Sequence, residues 1–537
     1  MSVIEPAAPG RPGAGVRATV GRAAIVILAA TLVGRLLGLV RDLAIAYFFE
    51  RGATDAFFLA YKIPYLGALT VGGALTATFI PVFTQRYVTG RREEAWGLSV
   101  SMMNLAGLAM IALTVVAVLL APWLMPLIGP GFDSATTSKA VMLFRILMPL
   151  VLFAGLAGLL MGVLNSLKRF AVPAFSTSLG ALVTLGFILV TARSWGLTGV
   201  AVGTTVGAAA SFAVLLPQLR GTGLKYRPVI DWNDPGVRET AGMIWPILLG
   251  SAVGKVSVFA DQILGSLLES GSISALNYGE KLFQLPLGLF VASITVPLFP
   301  LLSEHVAAKE PERLKSTLAL GLRLVGFVIV PASMGLIVLR TPIVTLLFQH
   351  GEFTAEDTAR TAQVLLFYSL GLFSYAGRDT LTRVFYAYHD TRTPVNVSVA
   401  TVVLNIVVSF GLMQVLGVGG LALGTSIALT VNLVVLIHLL RKKIGPMGFG
   451  RLVVSLVRVG AATAVMGAVV WAVDNQLMLS LPDGDGSLGL RVGVDVAVGA
   501  VAYIAAALVG RLPELREVGG MLRLALGRQD RENRERT

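Results

Sequence analysis

Apolar positions in this chain run on rather than alternating with polar ones. Fourteen stretches are almost continuously apolar, at about 23–48, 55–83, 96–120, 139–164, 171–192, 197–218, 238–265, 273–303, 316–339, 358–388, 394–416, 419–440, 452–473 and 489–510. A helix that crosses the hydrocarbon core needs about 20 such residues. Each stretch therefore predicts a membrane-spanning helix, and the fold class is an all-α polytopic membrane protein with about 14 transmembrane helices.

The polar segments between the runs alternate in charge. One set holds Arg86, Arg91 and Arg92, Lys168 and Arg169, Arg220, Lys225 and Arg227, Lys309, Arg313 and Lys315, Arg392, and Arg441, Lys442 and Lys443. The other holds only Arg51, Arg193 and Arg340 beside Glu50, Asp133, Glu269, Asp474, Asp483 and Asp485. Cytoplasmic loops carry the excess of Lys and Arg, which puts both termini in the cytoplasm and calls for an even number of spans. A membrane crossed many times is the expected location.

Composition agrees and excludes much else. Hydrophobic residues make up 55% of the 537 and charged residues 14%, with a mean hydropathy of +0.79, against roughly 25% charged in a soluble chain. The net charge of +13 sits in short loops, where lipid orientation accounts for it, so no nucleic-acid partner is expected. The absence of cysteine rules out thiolate metal sites and a Cys nucleophile. Four scattered His residues make an imidazole metal site improbable. No P-loop or strand-borne Gly-x-Gly motif accompanies them, so an enzyme is not expected.

The chain repeats itself. Val33-Gly34-Arg35 recurs as Val253-Gly254-Lys255, Asp42 as Asp261, Lys62 as Lys281, Pro81 as Pro300 and Pro173 as Pro394, and the segment from Gly199 to Thr204 recurs from Gly420 to Thr425, all at offsets of 219–221. Six runs separate equivalents, so the copies share an orientation, as in transporters whose halves rock about a central site. The expected organisation is a disordered tail (1–22), an N-lobe (23–220), a cytoplasmic linker (221–237), a C-lobe (238–440), a further helix pair (452–510) and a basic tail (511–537). That last tail reads either as a short helix on the membrane surface or as a solvated end.

Charged residues occur inside the runs. Arg35 falls about 18 Å along the first one, and Arg41 and Asp42 follow; Arg35 and Asp42 lie two turns apart on one face. A basic residue at mid-depth costs on the order of 3 kcal/mol unless it meets water or a partner. Lys62 and Lys281 occupy equivalent positions in runs two and eight, Asn277 and Glu280 open run eight, and Arg378, Asp379 and Arg383 lie in run ten. These groups point to a cationic cavity for an anionic ligand. A structural Arg–Asp pair, snorkelling of Arg41, or interfacial anchoring of the two lysines is the plainer alternative. Gly67, Gly72, Gly73 and Pro81 are expected to interrupt run two, and Pro286, Gly288, Pro297 and Pro300 run eight, for a cavity and hinges or for close helix packing. Asp261, Asn405, Ser409 and Thr425 form a candidate cation site of hard oxygen ligands suited to Na⁺, or else ordinary interhelical hydrogen bonds. With no nucleotide site, coupling would fall to Na⁺ or to the membrane potential.

Several stretches resemble one family. GRLLGLVRDLAIAYFFERGATDAFFLAYKIP (34–64), LNSLKRFAVPAF (164–175), SGSISALNYGEKLFQLPLG (270–288), LFQHGEFT (347–354) and FYAYHDTRTPV (385–395) are similar, in order and spacing, to the MurJ/MviN family of lipid II flippases. The family sits within the multidrug/oligosaccharidyl-lipid/polysaccharide flippase superfamily. The resemblance implies a protein that carries undecaprenyl-diphosphate-linked peptidoglycan precursor outward, with the last two helices forming a groove for the lipid tail. It implies Arg35, Arg41, Asp42, Asp55, Asn165, Ser274 and Glu280 as substrate-binding residues, beside Lys62 and Lys281. The chain departs from the family pattern at Lys281, where an arginine is usual, at Ala68, Gly73 and Gln284, where charged residues are usual, and at Ser409, where an aspartate is expected.

The function expected is therefore a lipid II flippase working by alternating access, with cell-wall synthesis machinery as further partners. The alternatives are a polysaccharide-lipid or multidrug exporter of the same superfamily and a non-transporting scaffold for cell-wall machinery.

Overall fold

In hydrocarbon an unpaired backbone N–H or C=O costs several kcal/mol, and a helix satisfies these groups within its own segment. The computed structural model describes residues 14–517 apart from Lys225, Met447, Gly448 and 481–483, and among the described residues there is no strand. The readings made above for residues 1–13, Lys225, Asp483 and 518–537 lie outside the described residues.

The helices are α1 (Ala14–Phe48), α2 (Arg51–Val88), α3 (Arg92–Ile128), α4 (Ser134–Leu147), α5 (Leu150–Ser166), α6 (Ala171–Trp195) and α7 (Leu197–Ala213). There follow α8 (Pro235–Ser266), α9 (Ser272–Pro286), α10 (Ala292–Ala307), α11 (Pro311–Val338) and α12 (Arg340–Phe348). The chain continues with α13 (Ala355–Leu370), α14 (Leu372–Ala387), α15 (Arg392–Leu416), α16 (Val418–Ile444), α17 (Phe449–Ser480) and α18 (Asp485–Val509). Each apolar run coincides with one helix or with two joined at a break, and α12 is the addition. Among the described residues ten spans are long and apolar enough to cross a bilayer, or eleven when the α9–α10 pair, bent by 50°, is taken as one; α1, α8 and α13–α14 are not among them. The protein is a multi-pass, all-helical membrane protein.

Two expectations change here. Residues 14–22, read as disordered, belong to α1. Run two is not interrupted: α2 is one helix of 38 residues that contains both Pro64 and Pro81. Its Gly72 serves close packing, since a Cβ on Gly158 would come within 2.5 Å of the Gly72 carbonyl oxygen. Run eight does break, through a π-helical turn at Leu287–Val291.

The repeat is written in the backbone. Gly196 and Gly417 join α6 to α7 and α15 to α16 with φ of 57° and 55°. Lys168 and His389 hold φ of 60° and 56° at equivalent helix ends, as do Gly90 and Lys309 at 86° and 57°. Left-handed backbone at a non-glycine residue is uncommon, so its recurrence at matched positions marks one architecture used twice.

The chain divides into two compact units. One comprises residues up to Ile45 with Ala60–Leu124 and Ser138–Leu249; the other comprises Ala46–Leu59, Met125–Thr137 and everything from Gly250. The first unit has a core of Leu75, Phe79, Phe83, Leu98, Leu160 and Leu164, and the linker after α7 is tied to it by the two-pronged Arg86–Asp234 pair. In the second unit α17 and α18 pack on α11 through Phe327, Val459, Met466, Val470 and Tyr503, and the Tyr503 hydroxyl donates to the Phe327 carbonyl at 2.7 Å. The chain just after α18 is no solvated end: Glu514 is buried, accepts from Ser455 Oγ at 2.6 Å and faces Arg323 at 3.6 Å. Apolar side chains such as Leu119 and Val407 stay exposed, as suits surfaces whose solvent is lipid.

Candidate functional site

The first unit holds three of the expected cations. Arg35 is exposed on α1. Arg41 is almost covered and its guanidinium is fully engaged: Nε and Nη2 donate to Asp42 Oδ1 at 2.9 and 2.6 Å. Nη1 donates to the Tyr61 hydroxyl at 3.1 Å, and the guanidinium carbon stands 5.1 Å from the Tyr61 ring centre. Arg35 and Asp42, two turns apart on one face, differ in burial: Asp42 is 1% exposed. The long Arg41 side chain reaches round the helix to its neighbour, and the buried carboxylate gains a charge-assisted partner. Of the readings weighed for Arg41, the structural Arg–Asp pair describes its position. Lys62 on α2 is buried, and Asn165 is half-buried in the last turn of α5.

Asp55, near the start of α2, belongs to the second unit. Its carboxylate accepts from the backbone N–H of Gly271 at 2.6 Å, from the backbone N–H of Ser274 at 2.7 Å and from Ser274 Oγ at 2.6 Å. Gly271 is the N-cap of α9, with φ 94°. A helix start leaves its first N–H groups without intrahelical partners, and a side-chain oxygen at the N-cap normally satisfies one. Glycine has none to offer, so Asp55 caps α9 from another helix. Thr54 Oγ1 lies 2.7 Å from Ser274 Oγ. Around this contact Arg51 pairs with Glu356 at 2.7 Å, and Arg360 pairs with Glu356 at 2.7 Å and with Glu269.

Further along α9, Glu280 accepts from Gln284 Nε2 at 2.8 Å, and Lys281 is half-buried. The candidate cation site is assembled in part. Asn405 Nδ2 donates to Thr425 Oγ1 at 3.1 Å and reaches Ser409 Oγ at 3.5 Å. The third group on Asn405 is Ser257 of α8, whose hydroxyl donates to Oδ1 at 2.9 Å. Asp261 stands one turn further along that helix, near Tyr368. The oxygens of Ser409 and Thr425 thus face an amide N–H, the arrangement of ordinary hydrogen bonds, one within α15 and one across to α16. Beside them opens a cavity of about 380 Å³ whose walls include Arg378, Asp379, Asn405, Thr425 and Asn432.

Sequence reasoning missed Tyr61, Gly271, Thr54 and Ser257 as partners. Each lies on a different helix from the residue it serves, and no spacing within one helix announces such a neighbour.

Known proteins supply the comparison. The model of the family described as "Lipid II flippase MurJ" matches residues 45–480. A protein of Vibrio cholerae serotype O1 named "Probable lipid II flippase MurJ" is 32% identical over 518 residues, covering 91% of this chain and 95% of that one. One of Burkholderia cenocepacia named "Lipid II flippase MurJ" is 28% identical over 470 residues, covering 84% and 90%. Among solved structures, "Lipid II flippase MurJ, inward closed conformation" superposes with a TM-score of 0.76 at 24% identity, covering 91% of this chain and 99% of that one. An inward-facing multidrug resistance MATE family transporter superposes with a TM-score of 0.68 at 14% identity, covering 79% and 98%. The structural likenesses speak for the fold.

Proposed function

We propose that this chain, which belongs to the MurJ lipid II flippase family, carries lipid II from the cytoplasmic to the outer leaflet of the bacterial cell membrane. The observation that carries this reading is the family match, which runs from residue 45 to 480 and so takes in most of the first copy of the internal repeat and all of the second. The two repeat-related bundles would open alternately to either side, and both termini would lie in the cytoplasm.

Within this reading the diphosphate is the group that the embedded cations recognise. A multivalent anion in a narrow, weakly polar cavity attracts each cation far more strongly than in water. Arg35, exposed on α1, is the cation best placed to leave solvent for phosphate, whereas Arg41 holds Asp42 and would contribute mainly through that pair. Lys62 and Lys281 add charge, and Asn165 and Glu280 contact the sugars or peptide. Asp55 and Ser274 fasten the start of α9, a role in which they shape the site rather than touch the ligand. The helix pair α17–α18 receives the lipid tail. No bond is made or broken; transport draws on Na⁺ or on the membrane potential, and cell-wall synthesis enzymes consume the delivered substrate.

Depleting the protein in its host and assaying the lipid-linked precursors of each leaflet tests this reading. Lipid II should accumulate on the cytoplasmic leaflet. Accumulation of a different lipid-linked saccharide, with lipid II normally distributed, would support a polysaccharide-lipid exporter instead.

A further inference from the structure

The α17–α18 pair carries charged groups for which the reading above has no use. Asp495, on α18, is 0% exposed. Neither of its carboxylate oxygens receives an N–H or O–H donor among the described residues. Its neighbour across the helix pair is a second carboxylate, Asp474 of α17. The nearest cation is already committed, since Arg491 Nε donates to Asp474 Oδ1 at 2.6 Å.

Two ionised carboxylates side by side in a weakly polar interior repel, and a buried charge without a partner costs several kcal/mol. One guanidinium satisfies one of them. The remaining acceptors need a hydrogen between them, and among the described residues no side chain supplies one to Asp495. We propose that Asp495 and Asp474 form a proton-binding site, one proton shared between the two carboxyl groups while Arg491 neutralises the remaining charge.

In this proposal the proton exchanges with water through Asp474, which lines a cavity that Asp495 itself does not reach. That cavity, of about 690 Å³, is lined by Arg340, Gln349, Trp471, Asp474, Ser487 and Arg491, so water there reaches the ion pair directly. The charged groups facing the site are Asp474 from α17, Arg491 from α18 itself and Arg340 from α12, while α11 contributes Val338 to the cavity wall. Arg491 precedes Asp495 by one helical turn, the spacing at which side chains of one helix meet. When the proton leaves the carboxyl oxygen for water, two carboxylates compete for Arg491, and the guanidinium is drawn from Asp474 toward both. The charge state of α17–α18 therefore changes by one unit with a local rearrangement of a single side chain.

Infrared spectroscopy of the purified full-length protein in detergent at neutral pH tests the site. The expected result is the carbonyl stretch of a protonated carboxylic acid that shifts in D₂O. It should disappear in Asp495→Asn and also in Asp474→Asn, where Arg491 is released to Asp495 and no shared proton is needed. Asp390→Asn, in a loop on another face, should leave it intact. Absence of such a band in the unmodified protein overturns the proposal without recourse to any variant. So does a band that survives both Asp495→Asn and Asp474→Asn in protein whose melting curve shows it to be folded.

Discussion

Asp55 and Ser274 stand on different helices, yet the carboxylate of one closes the first turn of the helix that carries the other, with backbone N–H and Oγ contacts of 2.7 and 2.6 Å. The N-cap position itself is Gly271, so the cap is tertiary. Asp55→Ala should cost about 1–3 kcal/mol, the range for losing hydrogen bonds to a charged group at a helix start. Ser274→Ala removes one of the three contacts and should cost less than half as much. Thermal unfolding of the two purified variants gives the order; equal losses would mean that Asp55 does not act through the backbone of α9.

Arg35 and Arg41 should respond differently to the same truncation. Arg35 is exposed, so Arg35→Ala should insert at normal levels while failing to support growth as the only copy, and Arg35→Lys should be partly active because it keeps charge but loses the fork. Arg41→Ala strips the guanidinium from buried Asp42 and should lower protein levels, since breaking a buried pair costs about 3–5 kcal/mol. Adding Asp42→Asn should restore the level. Full growth on both single Ala variants would remove the arginines from the transport mechanism.

Topology can be read with single cysteines, because the chain has none of its own. Cysteines at Ser134 and Asp483 should label from outside the cell, and those at Thr89 and Arg227 only after permeabilisation. Outside labelling at Thr89 would invert the orientation.

Sodium coupling through the Asn405 cluster requires that Na⁺ raise the melting temperature relative to K⁺, and that Asp261→Asn abolish the difference. The present arrangement, with Ser257 and Thr425 satisfying the Asn405 amide, must then open to admit the ion. Identical curves in the two salts would leave the membrane potential as the driving force.

Acid should loosen the start of α15. Lys443, and after it the N–H and hydroxyl of Thr393, hold the Asp390 carboxyl below the ordinary range. A depressed carboxyl stabilises the fold at neutral pH and loses that contribution as the pH falls through its folded value. Asp390→Asn should therefore melt lower at neutral pH and show a flatter dependence on acid than the unmodified protein. Parallel pH profiles would show that this contact contributes nothing measurable.

Much of this architecture was legible in the residues because a bilayer imposes a rule that acts on each segment separately. Every apolar run became helix, and the repeat noticed in Gly199–Thr204 and Gly420–Thr425 reappeared as matched hairpins at Gly196 and Gly417. The proline rule was less dependable. It marked the break after Pro286 but not α2, which continues as one helix through Pro64 and Pro81.

Helix positions, the repeat and the presence of buried charge were thus determined by sequence alone, since hydrophobic length and charge are properties of the residues themselves. Which charge meets which was decided only by the tertiary structure. Arg41 with Tyr61, Asp55 with α9, Asn405 with Ser257 and Asp495 with Asp474 all join separate helices. Such contacts depend on how each helix is rotated and how far it slides along its neighbour. A rotation of one residue turns a side chain by about 100°, enough to exchange a partner for lipid, and nothing in the apolar pattern of a single helix sets that angle.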